Sequence, residues 1–156
     1  MTNKARRLGF VVLGCATLVG VDLLGAPQSP GAGSTSRTHK GLEITTKSLG
    51  RAMNVSLQDC PPGENIVRGV IRPSEENEFA TVTLDVKVLP TFAPVSLTKP
   101  VLYDAAGNGY KTAQSFGEMN ARPAYSCSFS FRIPKGTKVT RFAIEDASFD
   151  ISSLDK

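Results

Sequence analysis

The sequence predicts an all-β protein: an antiparallel β-sandwich of seven or eight short strands, preceded by an N-terminal signal or anchor helix. Three observations predict it. Beyond residue 40, apolar and polar residues alternate with period two, the pattern of half-buried strands. Pro- and Gly-containing turns separate these stretches at short intervals, as in sandwiches. No stretch beyond residue 40 keeps a helical period.

Residues 1–33 read as a targeting segment. Lys4, Arg6 and Arg7 precede an apolar run from Leu8 to Leu24, followed by Gly, Pro, Ser and Ala residues. That is the basic, apolar, small-residue order of an export signal. The run is close to the shortest that spans a bilayer, so a retained membrane anchor is the second reading. Val12-Leu13-Gly14-Cys15 resembles a lipobox, which makes Cys15 a lipidation candidate and a lipoprotein the third reading. Arg6-Arg7 invites a twin-arginine reading, but Leu8-Gly9-Phe10 departs from its usual spacing. All these readings place the rest of the chain outside the cytoplasm, secreted or associated with the cell envelope. Residues 34–40, with the single His39, read as a flexible tether, and 41–156 as the sandwich domain.

The strands follow in order. Leu42–Leu49, Met53–Gln58 and Val67–Ile71 are short candidates before the turn at Pro73-Ser74. Phe79–Leu89 alternates cleanly, with Val82, Leu84, Val86 and Val88 opposite Thr81, Thr83, Asp85 and Lys87. Val101–Tyr103 and Tyr110–Thr112 flank Gly107-Asn108-Gly109, a pair-forming hairpin turn because Asn and Gly tolerate positive φ. In Tyr125–Ile133, Cys127, Phe129 and Phe131 share one face, and Ser126, Ser128, Ser130 and Arg132 the other. Lys138–Ile151 points Phe142 and Ile144 inward. Its phase flips near Asp146-Ala147, where a bulge or strand break is expected.

Composition excludes several functions. The net charge is +4, and half of it sits in the leader, so the domain lacks the clustered basic surface of a nucleic-acid binder. A single His removes blue-copper sites and Ser-His-Asp triads. Asp104 and Asn108 are too few for an EF-hand calcium loop, so that segment reads as a turn. Glu75-Glu76-Asn77-Glu78 reads as a solvated loop tip, and Asn54-Val55-Ser56 as a chance sequon. No catalytic residue, metal or cofactor is expected.

Cys60 and Cys127 are the two cysteines beyond the leader. In an oxidising compartment they argue for one disulfide, over two buried free thiols or a catalytic thiol lacking a nearby base. Pro90-Thr91-Phe92-Ala93-Pro94 and Phe116-Gly117-Glu118-Met119-Asn120 hold the candidate binding residues, Phe92, Phe116 and Met119. Aromatic residues on loops are either partner anchors or plugs of the sandwich end.

The strand Phe79–Leu89, then Val95-Ser96-Leu97, then Leu102-x-Asp104-x-x-Gly107-x-x-Tyr110, then Phe131-Arg132-Ile133-Pro134 with Lys135-Gly136, and last Phe142-Ala143-Ile144 form a recognisable order. Over roughly residues 41–152 it resembles the telokin-like, immunoglobulin-fold family of secreted bacterial proteins of unknown function, whose structural type is a secreted immunoprotective antigen. The resemblance implies an immunoglobulin-like, extracytoplasmic and non-enzymatic module, with no catalytic residues to carry over.

The expected function is therefore a non-catalytic binding or structural module of the cell envelope. Its partner would be an envelope or extracellular protein, with no nucleic acid and with a membrane tether if the leader is retained. A small enzyme using carboxylates among Asp85, Asp104, Glu118, Glu145 and Asp146 is the alternative. A tethered accessory subunit of an envelope complex is the other.

Overall fold

The computed structural model describes residues 35–63 and 68–155. The leader, with Cys15, lies outside the described residues. Among the described residues there are ten strands and no helix. One sheet has the order β1-β2-β5-β8, built from β1 (Ser36–His39), β2 (Leu42–Ala52), β5 (Asn77–Val88) and β8 (Ala124–Pro134). The other has the order β10-β9-β6-β7, from β10 (Ala147–Asp150), β9 (Val139–Ile144), β6 (Val101–Asp104) and β7 (Gly109–Lys111). Every pairing between named strands is antiparallel. A separate hairpin joins β3 (Val55–Leu57) to β4 (Arg68–Ile71). The expected all-β sandwich is the observed fold.

The alternation explains the core. Val82, Leu84 and Val86 of β5 face inward beside Phe129, Phe131 and Ile133 of β8, all essentially inaccessible. Phe142 of β9 sits among them, with ring centroids 6.4 Å from Phe129, 6.1 Å from Phe131 and 5.9 Å from Phe149. Tilted ring pairs at such distances add about 1 kcal/mol each beyond the area they bury. In β2 the register against β5 shifts between Thr46 and Ser48, leaving Lys47 as an extra residue. The bulge changes the phase, so that Leu49 joins Leu42 and Ile44 on the core side.

Two expectations need correcting. Residues 34–40 are not a tether: Ser36–His39 form β1, paired with β2 from Ser36↔Thr45 to His39↔Leu42. Lys40 and Gly41, with φ of 48° and 78°, make the intervening turn, whose mirror-image twist matches the strands. The strand count is ten rather than seven or eight, because β1 and the division at 145–146 add to it. That division is the expected break near Asp146-Ala147. β9 and β10 form a hairpin with Ile144↔Ala147 as its last pair, and Glu145 takes a φ of 53° in the turn.

The sandwich manages its open edges with side chains. At one edge Arg37 Nε donates to the Ser148 carbonyl at 2.7 Å, and Thr35 Oγ1 to the Asp150 carbonyl at 2.9 Å, linking β1 to β10. At the opposite edge Gln114, buried to 2% exposure, lies along β8. Its Oε1 accepts from the Ser130 N–H at 2.6 Å, and its Nε2 donates to the carbonyls of Ser128 at 2.6 Å and Gln58 at 2.5 Å. The side-chain amide thus stands in for the peptide group of a missing neighbour strand. Gln114→Ala should leave these backbone groups buried without partners and lower stability by about 2 kcal/mol, measured by urea unfolding. A change near zero would mean that water replaces the amide there.

Candidate functional site

Two loops meet at one end of the sandwich. The first follows β5: Leu89 N–H donates to the Gly41 carbonyl and Phe92 N–H to the Leu89 carbonyl, both at 2.9 Å, which folds Phe92 back against the β1–β2 turn. The second follows β7 and runs parallel to residues 58–60. Cys60 N–H donates to the Ser115 carbonyl at 3.0 Å, and Gly117 N–H to the Cys60 carbonyl at 2.7 Å. Asp59 Oδ1 accepts from the Ser115 N–H at 2.7 Å. The Cys60–Cys127 disulfide then fastens this pair of segments to β8.

Phe92, Phe116 and Met119 come together there. Along with Pro94, Val95 and Asn120 they line a groove of about 430 Å³. Phe92 and Phe116 are half-buried, and the Phe116 ring lies 4.8 Å from that of Phe129. Met119 is a buried floor residue rather than an exposed one, at 2% exposure. The Tyr125 hydroxyl donates to the Met119 carbonyl at 3.0 Å. Burial pushes that phenol up to about 12, so it stays protonated and keeps the bond at any ordinary pH. Val95, 39% exposed, opens this groove to solvent, and Glu118 and Ser96 line it too.

Of the carboxylates considered for catalysis, Glu145 and Asp146 come together on the β9–β10 turn, and the others stand apart. Asp85, Glu118 and Asp146 line three different clefts. Asp104 is enclosed by its own turn. Its Oδ1 accepts from the N–H groups of Ala106 and Asn108, and its Oδ2 from Asn108 Nδ2 and the Tyr110 hydroxyl, all between 2.8 and 2.9 Å. The Asn108 amide, above the other donors, holds this carboxyl below its ordinary value. Asp85 is likewise held down, first by the Ser126 hydroxyl at 2.6 Å and then by Lys47. Both carboxyls are therefore held in their ionised form by their hydrogen-bond donors.

His39, Glu145 and Asp146 form a cluster that sequence reasoning missed, because the residues around His39 read as a tether. The turns β1–β2 and β9–β10 face each other across the two sheets. His39 Nε2 lies 2.9 Å from Glu145 Oε2, and His39 Nδ1 lies 3.3 Å from Asp146 Oδ1. Lys40 Nζ approaches Glu145 Oε2 at 2.5 Å. One ligand atom from each of the three lies within 4.8 Å of the others, and imidazole with carboxylate is a donor set that divalent metals accept. Here both imidazole nitrogens face carboxylate oxygens and Lys40 pairs with Glu145, so these contacts clasp the two turns together. Lys40 first, and His39 second, hold the Glu145 carboxyl down to about 2.

No family model matches the chain, and no curated protein matches it. Among solved structures it is similar to an uncharacterised β-sandwich protein from Clostridium difficile 630, at 11% identity and a TM-score of 0.43, over 73% of this chain and 86% of that one.

Proposed function

We propose that this chain is an exported, non-catalytic binding module of the cell envelope, with the groove between residues 90–96 and 116–120 as its working surface. The observation that carries the reading is the convergence of Phe92, Phe116 and Met119, from loops separated in sequence, around one groove, with Val95 open to solvent and Ser96, Glu118 and Asn120 as its polar rim. Such a groove accepts an apolar side chain of a partner protein, and its aromatic walls supply the contact energy. The Cys60–Cys127 disulfide supports export, since such bonds persist in oxidising compartments. The leader supports it independently, as does the resemblance to the telokin-like, immunoglobulin-fold secreted proteins.

The test uses the full chain with a C-terminal tag, recovered from envelope fractions with and without detergent after cross-linking. Export predicts the protein outside the cytoplasm with its disulfide formed. Val95→Asp, which puts a charge in the groove, should abolish capture of the partner retained by the wild type, while Glu75→Gln should not. Equal capture by Val95→Asp, or a cytoplasmic protein with free thiols, overturns the reading.

A further inference from the structure

We propose that the outer face of the β1-β2-β5-β8 sheet carries a second binding site, a hydroxyl-floored trough for a neutral oligosaccharide. It shares no lining residue with the loop groove. Its base is a ladder of short polar side chains. On β5 these are Thr81, Thr83 and Asp85; opposite them on β8 are Ser130, Ser128 and Ser126. The three pairs hydrogen-bond across the strands at 2.9, 3.0 and 2.6 Å. Alternate residues on a strand put successive rungs roughly 7 Å apart.

Every ladder residue except Thr83 lines a depression. Val55, Ser56, Gln58 and Pro62 border one side, enclosing about 390 Å³ over Thr81, Ser126 and Ser128. A second cleft of about 520 Å³ continues from Ser126 towards Glu43, Thr45 and Lys87. Each volume falls within the size range of small-ligand sites. The disulfide anchors the bordering segment through Cys127, itself a lining residue, so the wall is held in place before any ligand arrives.

The chemistry of the lining selects the ligand. A hydroxyl offers one donor and two acceptor positions, so each rung keeps hydrogen-bonding capacity after pairing with its neighbour. Five hydroxyls that both donate and accept, with the acceptor-only Asp85 carboxylate at one end, match the hydroxyls of a sugar chain. An anionic ligand would meet Asp59, Asp85 and Glu43. The nearby cations are engaged: Lys47 pairs with Asp85 at 3.1 Å, and Lys87 faces Glu43 at 3.9 Å. A peptide adding as a strand needs a free backbone row. Along β8, Gln114 occupies that row at Ser128 and Ser130.

The experiment is an amide-shift titration of the isotope-labelled, disulfide-intact protein by NMR. The probes are cellohexaose, maltohexaose and chitohexaose, with polygalacturonate as the anionic contrast and a Ser-Gly repeat peptide as the extended-chain contrast. Site-saturating shifts at Thr81, Thr83, Ser126 and Ser128 are expected with at least one neutral hexasaccharide, at ligand concentrations of about 1 mM. Thr83→Val combined with Ser128→Ala removes both members of a rung and leaves no orphaned partner; it should weaken binding about tenfold. Ser126→Ala, at an exposed position, gives the same reading if the double variant is poorly folded. Val95→Asp should bind the sugar normally, which keeps this result distinct from the fate of the loop groove. No saturable shift with any neutral probe overturns the proposal, as do shifts confined to residues 90–96 or tighter binding of polygalacturonate or the peptide.

Discussion

Breaking the Cys60–Cys127 bond should lower the unfolding free energy by about 4 kcal/mol. The two cysteines are 67 residues apart in sequence and 5.5 Å apart at Cα. Without the bond, the unfolded chain regains the freedom of a long loop, and the chain-entropy account attributes a stabilisation of about that size to closing it. A domain with a total margin of about 5–15 kcal/mol would lose a large part of it. The loss should also be local. Residues 58–60 pair with 115–117 and are tied to β8 by the bridge, so this layer should open before the rest. Urea unfolding of oxidised wild type, reduced wild type and Cys60→Ser/Cys127→Ser measures the effect. Hydrogen exchange should show the earliest loss of protection at 58–60 and 115–117. Equal midpoints for oxidised and reduced wild type would mean that packing alone holds these segments.

Gly41→Ala should cost about 3 kcal/mol or more, and it should disturb the loop groove at the same time. Gly41 has a φ of 78°, a region that side chains other than glycine rarely adopt. A Cβ placed on it would lie 2.4 Å from Phe92 Cα, 2.6 Å from Phe92 N and 2.9 Å from the Thr91 carbonyl carbon. These are backbone atoms, which no rotamer change can move aside. Either the β1–β2 turn distorts or residues 91–92 retreat, and the second route carries Phe92 away from Phe116. Gly50→Ala, on the strand that follows the turn, is the control, because nothing lies within 4 Å of its added Cβ. The comparison is made by thermal unfolding, together with the amide shifts of residues 90–96 and 116–120. Matching stability of the two variants would show that the loop yields without strain.

The alternation of apolar and polar residues is local information, and it was enough for the long strands. Val82, Leu84 and Val86 on β5, and Phe129, Phe131 and Ile133 on β8, are buried as their spacing requires. The phase flip at Asp146-Ala147 marked a real turn. The two cysteines beyond the leader allowed a single pairing, and they make it. Phe92, Phe116 and Met119 could be picked out as loop residues, but nothing local says that one groove gathers them. Met119 in particular turns inward, onto Tyr125.

β1 was illegible for a definite reason. Ser36, Arg37 and Thr38 are exposed and show no alternation, and the strand exists because β2 offers it backbone partners across a tight turn. His39 is buried by Glu145 and Asp146, more than a hundred residues further on. Gln114 carries no local sign of its work either, since that work is to complete the edge of a strand that begins ten residues later. Residue order alone established which segments are pleated, which of their faces is apolar, and which cysteines can join. The three-dimensional arrangement established which edges meet, which polar groups are enclosed, and which loops share a wall. The division follows from the physics: hydrophobic patterning acts over a few neighbouring residues, whereas a buried polar group is satisfied by whatever donor or acceptor the folded chain brings to it.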